Sequence, residues 1–438
     1  MNKDNISVAV ATAVGLGAIV GAGIFVLSGT AIALAGPDAI IAFLVVGVLA
    51  IIIGLELGEL GSIAPQTKGG VYSYVYKAFG SELGFITGIM RFFSLSTGIS
   101  AISLGFGSYF ASLFGLGNMY QIPTAIVIIF ILSILNIIGI KKAANADFGL
   151  VIIKMSILAI FIIFAIILAI GSNALSTSNF ALIPSKNNLA DIFAASIAVF
   201  FAYSGFQTIS TFTSRVKGGA RGAARAIIYS ICISIVFYVL VLIALIIMVP
   251  ASKYTINADP LAFALNYIHA PSWLFITVSV GALIATASAI IATILSASRT
   301  IYQISEDKLL PKMLRKYNKK SDVAINGVLL SAVIGVGMLF AGNIYIIAAI
   351  SNFGLMFAYL IGSFAIIHFR RSKISGSFKM PLYPYLPIIA ILLLLAFIAG
   401  MPQEATSIGV VMIISLLVIY YFLREIDHKK VVHIRLFR

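Results

Sequence analysis

The sequence predicts an all-α polytopic membrane protein with 12 transmembrane helices. The predicted arrangement is a five-plus-five inverted repeat with broken helices 1 and 6, followed by two extra C-terminal helices. The chain has 438 residues, of which 61% are hydrophobic and 10% charged, and no soluble domain buries that much apolar surface. The apolar residues fall in runs of about 20, the length that crosses a bilayer. Two of these runs are interrupted by helix-poor residues at matching positions, as in inverted-repeat proteins.

The apolar runs define the predicted organisation of the chain. The predicted spans are 7–35, 38–61, 83–111, 121–140, 147–171, 188–213, 226–250, 271–303, 322–342, 344–369, 382–401 and 404–423. They form a single membrane domain, 1–438, with a first repeat over 7–171, a second over 188–369, and the extra pair over 382–423. The first apolar run is longer than the roughly 7–15 residues of a signal-peptide core, so it is interpreted as a span.

Charge placement predicts the orientation in the membrane. The formal net charge is +15, and basic residues crowd alternate connections, while the other connections hold only Lys186 and Lys253. The basic set comprises Lys68, Lys77, Lys141, Lys142, Arg215, Lys217, Arg221, Arg225, Lys308, Lys312, Arg315, Lys316, Lys319, Lys320, Arg370, Arg371, Lys373, Lys379, Arg424, Lys429, Lys430, Arg435 and Arg438. This positive-inside pattern predicts a multi-pass cell-membrane protein with both termini cytoplasmic and the lipid bilayer, not nucleic acid, as its surroundings. A dedicated contact with anionic lipid is the alternative.

The first span contains glycines that lower the stability of its helix. Its stretch GLGAIVGAGIF, residues 15–25, holds four glycines, each costing about 1 kcal/mol of helix stability relative to alanine. A break there leaves backbone N–H and C=O groups unpaired at mid-membrane. The free N–H groups near Gly23, Ile24 and Phe25 would suit a carboxylate. The alternative is close helix packing, because Gly17 and Gly21 also form a small-residue packing signature.

The sixth span is interrupted in the same way. It reads FFAYSGFQTIS over 200–210, with Tyr203, Ser204 and Gly205 at its centre. Carbonyl groups near Ile19, Phe201 and Ser204 would end the two neighbouring half-helices and suit an ammonium group. A zwitterion such as an α-amino acid would fit both poles of such a site, its carboxylate at the free N–H groups and its ammonium at the carbonyls. The matching break in span 6 favours a binding site over simple packing.

Lys154 is an ionisable residue inside the fifth predicted span. It lies seven residues after Asp147, about 10 Å along a helix, so Asp147 is a poor direct partner. A lysine at that depth costs about 2.5–3.5 kcal/mol. If it gains and loses a proton, it can couple solute movement to a proton gradient. The alternative is a lysine that extends to the interface.

Two further charges lie inside the membrane at similar depth. Glu56 lies near the end of span 2 and Arg91 lies inside span 3. Their depths predict a structural Glu56–Arg91 ion pair, with Glu59 as the runner-up partner for Arg91.

Several segments together resemble the amino acid–polyamine–organocation transporter superfamily over nearly the whole chain. They are GAGIF at 21–25, AGPDAIIAFLVVGVLA at 35–50, GELGSIAPQTKGGVYSYVYKAFGSELGF at 58–85, FFAYSGFQ at 200–207 and SASRTIYQISEDKLLPKML at 296–314. The resemblance implies the LeuT-like five-plus-five fold with two extra helices. It also implies secondary transport of amino acids or related amines by alternating access.

The resemblance assigns roles to individual residues. Ala22, Gly23 and Ile24 match the carboxylate-binding turn of the family. Ile19, Phe201 and Ser204 match positions whose carbonyls take the amino group, and Phe201 also matches an aromatic residue that closes over substrate. Lys154 matches a fifth-helix lysine of proton-coupled members, and Ser288 matches a hydroxyl that lines the same position. Together with the carbonyls around Gly21, these two residues form the predicted coupling site.

The sequence also departs from the family pattern. SRVKGG at 214–219 replaces a common Glu-Glu-x-Lys-Asn-Pro motif, and Gln207 stands where several members have an acid. Because these acids are replaced, Lys154 is the favoured group to gain and lose the coupling proton. Ala22, Ala202 and Phe201 suggest a small or apolar substrate, because no acid faces the site to meet a cationic side chain.

The prediction is therefore a proton-coupled amino acid symporter, with a substrate site that includes Ala202 and Gly205 and with no cofactor, metal or enzymatic activity. The alternative is an amino acid or amine exchanger without proton coupling. Sodium coupling is disfavoured because a lysine already occupies the expected sodium position. A channel would need a continuous polar pore, and an enzyme would need a nucleophile–base pair or a metal cluster at membrane depth. The four scattered histidines and the single cysteine, Cys232, provide neither. Oligomeric state and substrate identity are left open.

Overall fold

The structure is a computed structural model that describes residues 6–64, 70–139, 143–171, 189–318 and 323–436. Within these ranges it describes the backbone alone for 143–148, 171, 211–212, 214–215 and 423–436. Some residues used above therefore lie outside the described residues: Lys68, Lys141, Lys142, Lys186, Lys319, Lys320 and Arg438, together with the side chains of Asp147, Ser214, Arg215, Arg424, Lys429, Lys430 and Arg435.

The described chain is almost entirely helical. The α-helices are α1 Val8–Ile19, α2 Ala22–Ala35, α3 Ala39–Ile63, α4 Val71–Phe79, α5 Ser81–Leu113, α6 Gln121–Ile138, α7 Ala143–Gly171, α8 Leu189–Tyr203, α9 Gly219–Met248, α10 Pro260–Tyr267, α11 Ser272–Glu306, α12 Ile325–Met338, α13 Ile344–Arg371, α14 Tyr385–Ala399 and α15 Gln403–Leu436. Short 3₁₀ helices cover Gly36–Asp38, Asn118–Tyr120, Phe206–Arg215, Ala251–Lys253 and Lys312–Arg315. A two-stranded antiparallel ladder pairs β1 Tyr317–Asn318 with β2 Val323–Ala324.

The helices agree with the predicted apolar runs. By length and composition, eight stretches of the described chain are long and apolar enough to cross a membrane, and four shorter apolar helices accompany them. One of the eight, Ala22–Ile63, contains parts of two predicted spans, because α2 and α3 meet at the 3₁₀ turn Gly36–Asp38. The protein is thus an all-α membrane protein, and the count of twelve spans and the inverted repeat stay predictions.

The helices pack in two groups that meet at the broken segments. In one group, α2 packs on α8, while α1 and α3 pack on α9. In the other, the long helix α5 packs along α11, α12 and α13. The breaks in the first group face the second group, and this junction positions the candidate site.

A strap, defined here as residues 372–384 between α13 and α14, is fastened to one end of α3. Glu59 of α3 is fully buried and accepts two hydrogen bonds from Arg370 of α13, from Nε at 2.6 Å and from Nη2 at 2.9 Å. The backbone N–H of Met380 donates to the same carboxylate at 2.8 Å. Ser62 Oγ donates to the carbonyl of Phe378 at 3.0 Å. The buried ion pair and the strap therefore join α3 to α13.

The predicted Glu56–Arg91 ion pair is wrong. Glu56 instead accepts a hydrogen bond from Ser363 Oγ at 2.7 Å, and it takes part in no ion pair among the described residues. A Cβ added at Gly70 would lie 3.6 Å from Nη2 of Arg91, so the guanidinium lies beside the start of α4. The runner-up, Glu59, is occupied by Arg370. Equal depth on two helices does not determine which way each side chain faces, and here the two charges face different neighbours.

Arg370→Gln is expected to lower the free energy of unfolding by about 3–5 kcal/mol, because it leaves the buried carboxylate of Glu59 without its cation. Thermal unfolding of the purified protein in detergent measures the loss. Arg371→Gln is the matched control, since the neighbouring Arg371 is exposed. Glu59→Gln combined with Arg370→Gln should recover part of the stability. An equal loss in both single arginine variants would contradict the role assigned to the buried pair.

Candidate functional site at two broken helices

The first break separates α1 from α2. Val20 and Gly21 are not helical, and Gly21 has φ −109° and ψ −129°. The new helix begins at Ala22 and no side chain caps it. Its first N–H groups, at Ala22, Gly23 and Ile24, are therefore left without intrahelical acceptors, because the first turn of any helix lacks them. This is the arrangement that the glycine pattern predicts.

The second break follows α8 at Ser204 and Gly205. Gly205 has φ +128°, a conformation that favours glycine. A Cβ on Gly205 would lie 2.4 Å from the carbonyl oxygen of Ala18. Beyond it the chain continues as the 3₁₀ helix Phe206–Arg215. The sixth predicted span is thus an α-helical half and a 3₁₀ half.

The two breaks pack directly against each other. A Cβ on Gly23 would lie 2.2 Å from the Cα of Ala202, so only glycine allows this approach of α2 to α8. Gly205 makes the reciprocal approach to Ala18 of α1. The glycines therefore serve close packing and the break together, and the two alternatives considered from the sequence are not exclusive.

Two carbonyl groups converge at the crossing. The hydroxyl of Tyr238, on α9, lies 2.9 Å from the carbonyl oxygen of Ile19 and 2.9 Å from that of Ala202. The hydroxyl has one proton, which the two carbonyls share, and it joins the end of α1 to the end of α8. Tyr238 was missed from the sequence, where the only signal is a hydroxyl inside an aliphatic run.

The carbonyl groups at the two breaks already have hydrogen-bond donors within the protein. Phe201 was predicted to offer its carbonyl, but this oxygen already accepts from the Ser204 N–H at 3.1 Å and from Ser204 Oγ at 2.7 Å. A carbonyl oxygen has two lone pairs, so the turn itself uses the acceptor capacity of Phe201. The carbonyl of Ile19 likewise accepts from the Gly21 N–H at 2.8 Å and from the Tyr238 hydroxyl at 2.9 Å. The assignment of these carbonyls to a substrate amino group stays a prediction.

A cavity of about 650 Å³ lies between the two helix groups at the breaks. On the broken-helix side it is lined by Ile19, Gly21, Ala22, Gly23, Phe201, Ser204, Gly205 and Gln207. The opposite wall comes from α5 and α13, at Ser94, Gly98 and Ser351. Two predicted site residues, Ile24 and Ala202, do not line it; both are buried behind the wall.

The predicted coupling residues line the same cavity farther from the crossing. The side chain of Lys154 is 4% exposed, and its Nζ donates to the carbonyl oxygen of Gly17 at 3.3 Å. This carbonyl lies one helical turn before Gly21, where the contact was expected. Ser288 of α11 also lines the cavity, and its hydroxyl donates to Ala285 in its own helix. Gly21 packs against the next residue of α11, Ala289, at 3.2 Å from a would-be Cβ.

The charged side chains in the described lining of the cavity are cationic. The described residues that line it include Lys154 and Arg299 but no carboxylate. The cavity continues past Lys154 to Arg299, which is exposed, and to Val323. Among the described residues no group of histidine, cysteine and acidic side chains could hold a metal ion.

Helices that break at mid-span around a cavity, in a chain of apolar spans, are the architecture of a membrane transport protein. The family model described as "Amino acid permease" matches residues 10–430. The chain therefore belongs to the amino acid permease family, within the amino acid–polyamine–organocation superfamily.

Individual relatives cover nearly all of the chain. The methylthioribose transporter of Bacillus subtilis (strain 168) is 28% identical over 95% of this chain and 92% of its own length. The branched-chain amino acid permease BcaP of the same organism is 26% identical, over 96% and 92%. The serine/threonine exchanger SteT, also from that organism, is 26% identical over 89% of both chains.

A solved structure is similar in fold. The crystal structure of a mutant manganese transporter from Eremococcus coleocola matches with a TM-score of 0.55 at 16% identity, over 94% of this chain and 93% of the other. At that identity the similarity concerns the fold alone.

Proposed function

We propose that the protein is a secondary active transporter of amino acids in the cell membrane, working by proton-coupled symport and alternating access. The observation that carries the proposal is the pairing of opposite poles at one cavity. Free N–H groups at the start of α2 lie on one side of it, and the ends of α1 and α8, at Ile19, Phe201 and Ser204, line the other. The first pole suits a carboxylate and the second an ammonium group.

The cavity is closed on the side of α10. The hydroxyl of Tyr109 donates to the Phe25 carbonyl at 2.6 Å, and that of Thr30 donates to Asn257 at 3.4 Å. Pro260 at the start of α10 leaves no space for a Cβ on Gly29 of α2. With both termini cytoplasmic, as charge placement predicts, this state is the inward-facing one.

Lys154 supplies the proposed link to the proton gradient. Its ammonium holds α1, the half-helix that borders the cavity, to α7 through the Gly17 carbonyl. Loss of the proton removes the charge that strengthens this hydrogen bond, so α1 separates more easily and the inward-facing state is favoured. Substrate and proton then leave on the same side.

The second candidate is an exchanger that moves one amino acid or amine against another without protons. The similarity to a protein named as a serine/threonine exchanger favours it. In an exchanger Lys154 would keep its charge and its bond to Gly17 throughout the cycle, as a purely structural contact.

Reconstitution in liposomes separates these functions. We expect uptake above equilibrium driven by an inward pH gradient alone, with no requirement for sodium. The panel includes labelled branched-chain amino acids, serine, threonine and methylthioribose, because relatives of similar identity are named for these compounds. Uptake only into vesicles preloaded with amino acid, indifferent to the pH gradient, would establish exchange. Uptake of methylthioribose alone would overturn the amino acid assignment.

Tyr238→Phe is expected to destabilise the empty protein and to reduce the stabilisation that substrate provides. Without the hydroxyl, the carbonyls of Ile19 and Ala202 lose a donor, at a cost of about 1–3 kcal/mol. The two breaks also lose the hydroxyl that joins them, so the substrate site between them is held less firmly. Thermal unfolding with and without substrate measures both effects.

Tyr254→Phe is the matched control for this variant. It removes another buried hydroxyl that binds one carbonyl of α9, that of Leu245, at 2.8 Å, away from the cavity. A ligand-induced shift that is the same in both variants would contradict the role given to Tyr238.

A further inference from the structure

Gln207 lies in the cavity wall just beyond the second break. It is two residues after Gly205, on the 3₁₀ helix Phe206–Arg215. Its side chain is 7% exposed and forms part of the cavity lining. A substrate that moves through the cavity between the helix crossing and Lys154 therefore passes Gln207.

One hydrogen bond determines how the amide of Gln207 is oriented. The backbone N–H of Gly205 donates to Oε1 of Gln207 at 2.8 Å. A backbone N–H can only donate, so the amide oxygen must take this position and the NH₂ group must point away from it. No described group accepts a hydrogen bond from this NH₂. The amide thus presents a donor to the cavity.

The surroundings of Gln207 reinforce this polarity. The ionisable side chains in the described lining are Lys154 and Arg299, both cationic. A cationic substrate side chain would leave water for a space whose described lining holds positive charge and no carboxylate. Losing hydration without a compensating acceptor is costly for any charge.

Resting on the proposed function, we propose that Gln207 determines charge specificity: its fixed NH₂ donor selects amino acids with neutral or acceptor-bearing side chains and excludes cationic ones. The Oε1 atom stabilises the turn at Gly205, and the NH₂ group contacts the side chain of the substrate. The two tasks belong to different atoms of one side chain, so they can be separated by mutation.

Gln207→Glu separates them. The carboxylate keeps an oxygen for the Gly205 N–H and replaces the donor with a negatively charged acceptor. We expect the concentration of L-lysine that halves uptake of a labelled neutral amino acid to fall at least about tenfold, since a charge-assisted hydrogen bond supports a change of this size. Gln207→Met removes both contacts, and it should weaken uptake of neutral amino acids without any gain for lysine.

Ser296→Asp provides the charge-matched control. Ser296 lines the same cavity on α11, so the variant adds a carboxylate away from the break. A tenfold gain for lysine in Gln207→Glu with less than about threefold in Ser296→Asp supports the proposal. Equal gains in both variants would show a general effect of cavity charge and overturn it.

The wild type gives the remaining test. Inhibition of neutral amino acid uptake by lysine as strong as by neutral competitors would overturn the proposal while leaving amino acid transport intact. An unchanged lysine response in a Gln207→Glu protein that still transports neutral amino acids would do the same. Absence of any amino acid uptake by the wild type would instead overturn the proposed function and this inference with it.

Discussion

Replacing Lys154 with alanine is expected to leave substrate binding intact and to abolish accumulation driven by a pH gradient. The ammonium of Lys154 contacts α1 at Gly17 rather than the converging carbonyls of Ile19 and Ala202. Alanine therefore removes the proposed proton carrier and its hydrogen bond from α7 to α1, and it leaves the residues at the two breaks unchanged. Thermal stabilisation by substrate measures binding, and uptake into liposomes under an imposed gradient measures coupling.

Lys253→Ala is the control for Lys154→Ala, because Lys253 is an exposed lysine in the 3₁₀ turn Ala251–Lys253. It should match the wild type in both measurements. Full gradient-driven accumulation by Lys154→Ala would exclude Lys154 as the coupling group. Equal exchange activity in the wild type and Lys154→Ala, with no response to the gradient in either, would favour the exchanger.

Gly23→Ala is expected to weaken substrate binding strongly. The added methyl group would overlap the backbone of Ala202, at 2.2 Å from its Cα, and backbone cannot move aside as a flexible side chain does. The start of α2 must then withdraw from α8, which separates the N–H groups from the carbonyl pole. Overpacking of this kind costs about 1–3 kcal/mol or more, so affinity should fall by roughly tenfold at least.

Gly149→Ala is the matched control for Gly23→Ala. Nothing lies within 4 Å of a Cβ built at Gly149, and alanine is the better helix former. It should transport like the wild type, and substrate should stabilise it equally. Binding that survives in Gly23→Ala at wild-type affinity would contradict the site as described here.

The local features of the site were predictable, and the features that depend on neighbours were not. The breaks at Gly21 and Gly205 follow from helix propensity within a few residues, so the sequence reports them. The hydrogen bond from the Ser204 hydroxyl to the carbonyl of Phe201 was not predicted, because it depends on how the turn folds back. Tyr238 was missed because its contacts join residues far apart in the chain.

Ionisable residues show the same limit. Sequence identified Lys154 as buried in the membrane, and the structure places it 4% exposed beside the cavity. Its carbonyl partner was one turn away from the expected position. For Glu56 and Arg91 the sequence indicated only the depth in the membrane, which does not determine the direction in which each side chain points. The partner of a membrane charge depends on helix rotation, which apolar spans of low amphipathicity do not encode.

The strap at residues 372–384 has a consequence for how the molecule can move. A hinge that parted α3 from α13 at that end would expose the fully buried carboxylate of Glu59 and break its bonds to Arg370 and Met380. Separating a buried ion pair is strongly unfavourable, so these two helix ends are expected to travel as one rigid piece. We expect the larger displacement at α1, where the described hydrogen bond from Lys154 of α7 to the Gly17 carbonyl is longer, at 3.3 Å. The ends of α3 and α13 thus form a fixed unit, relative to which we expect α1 to move.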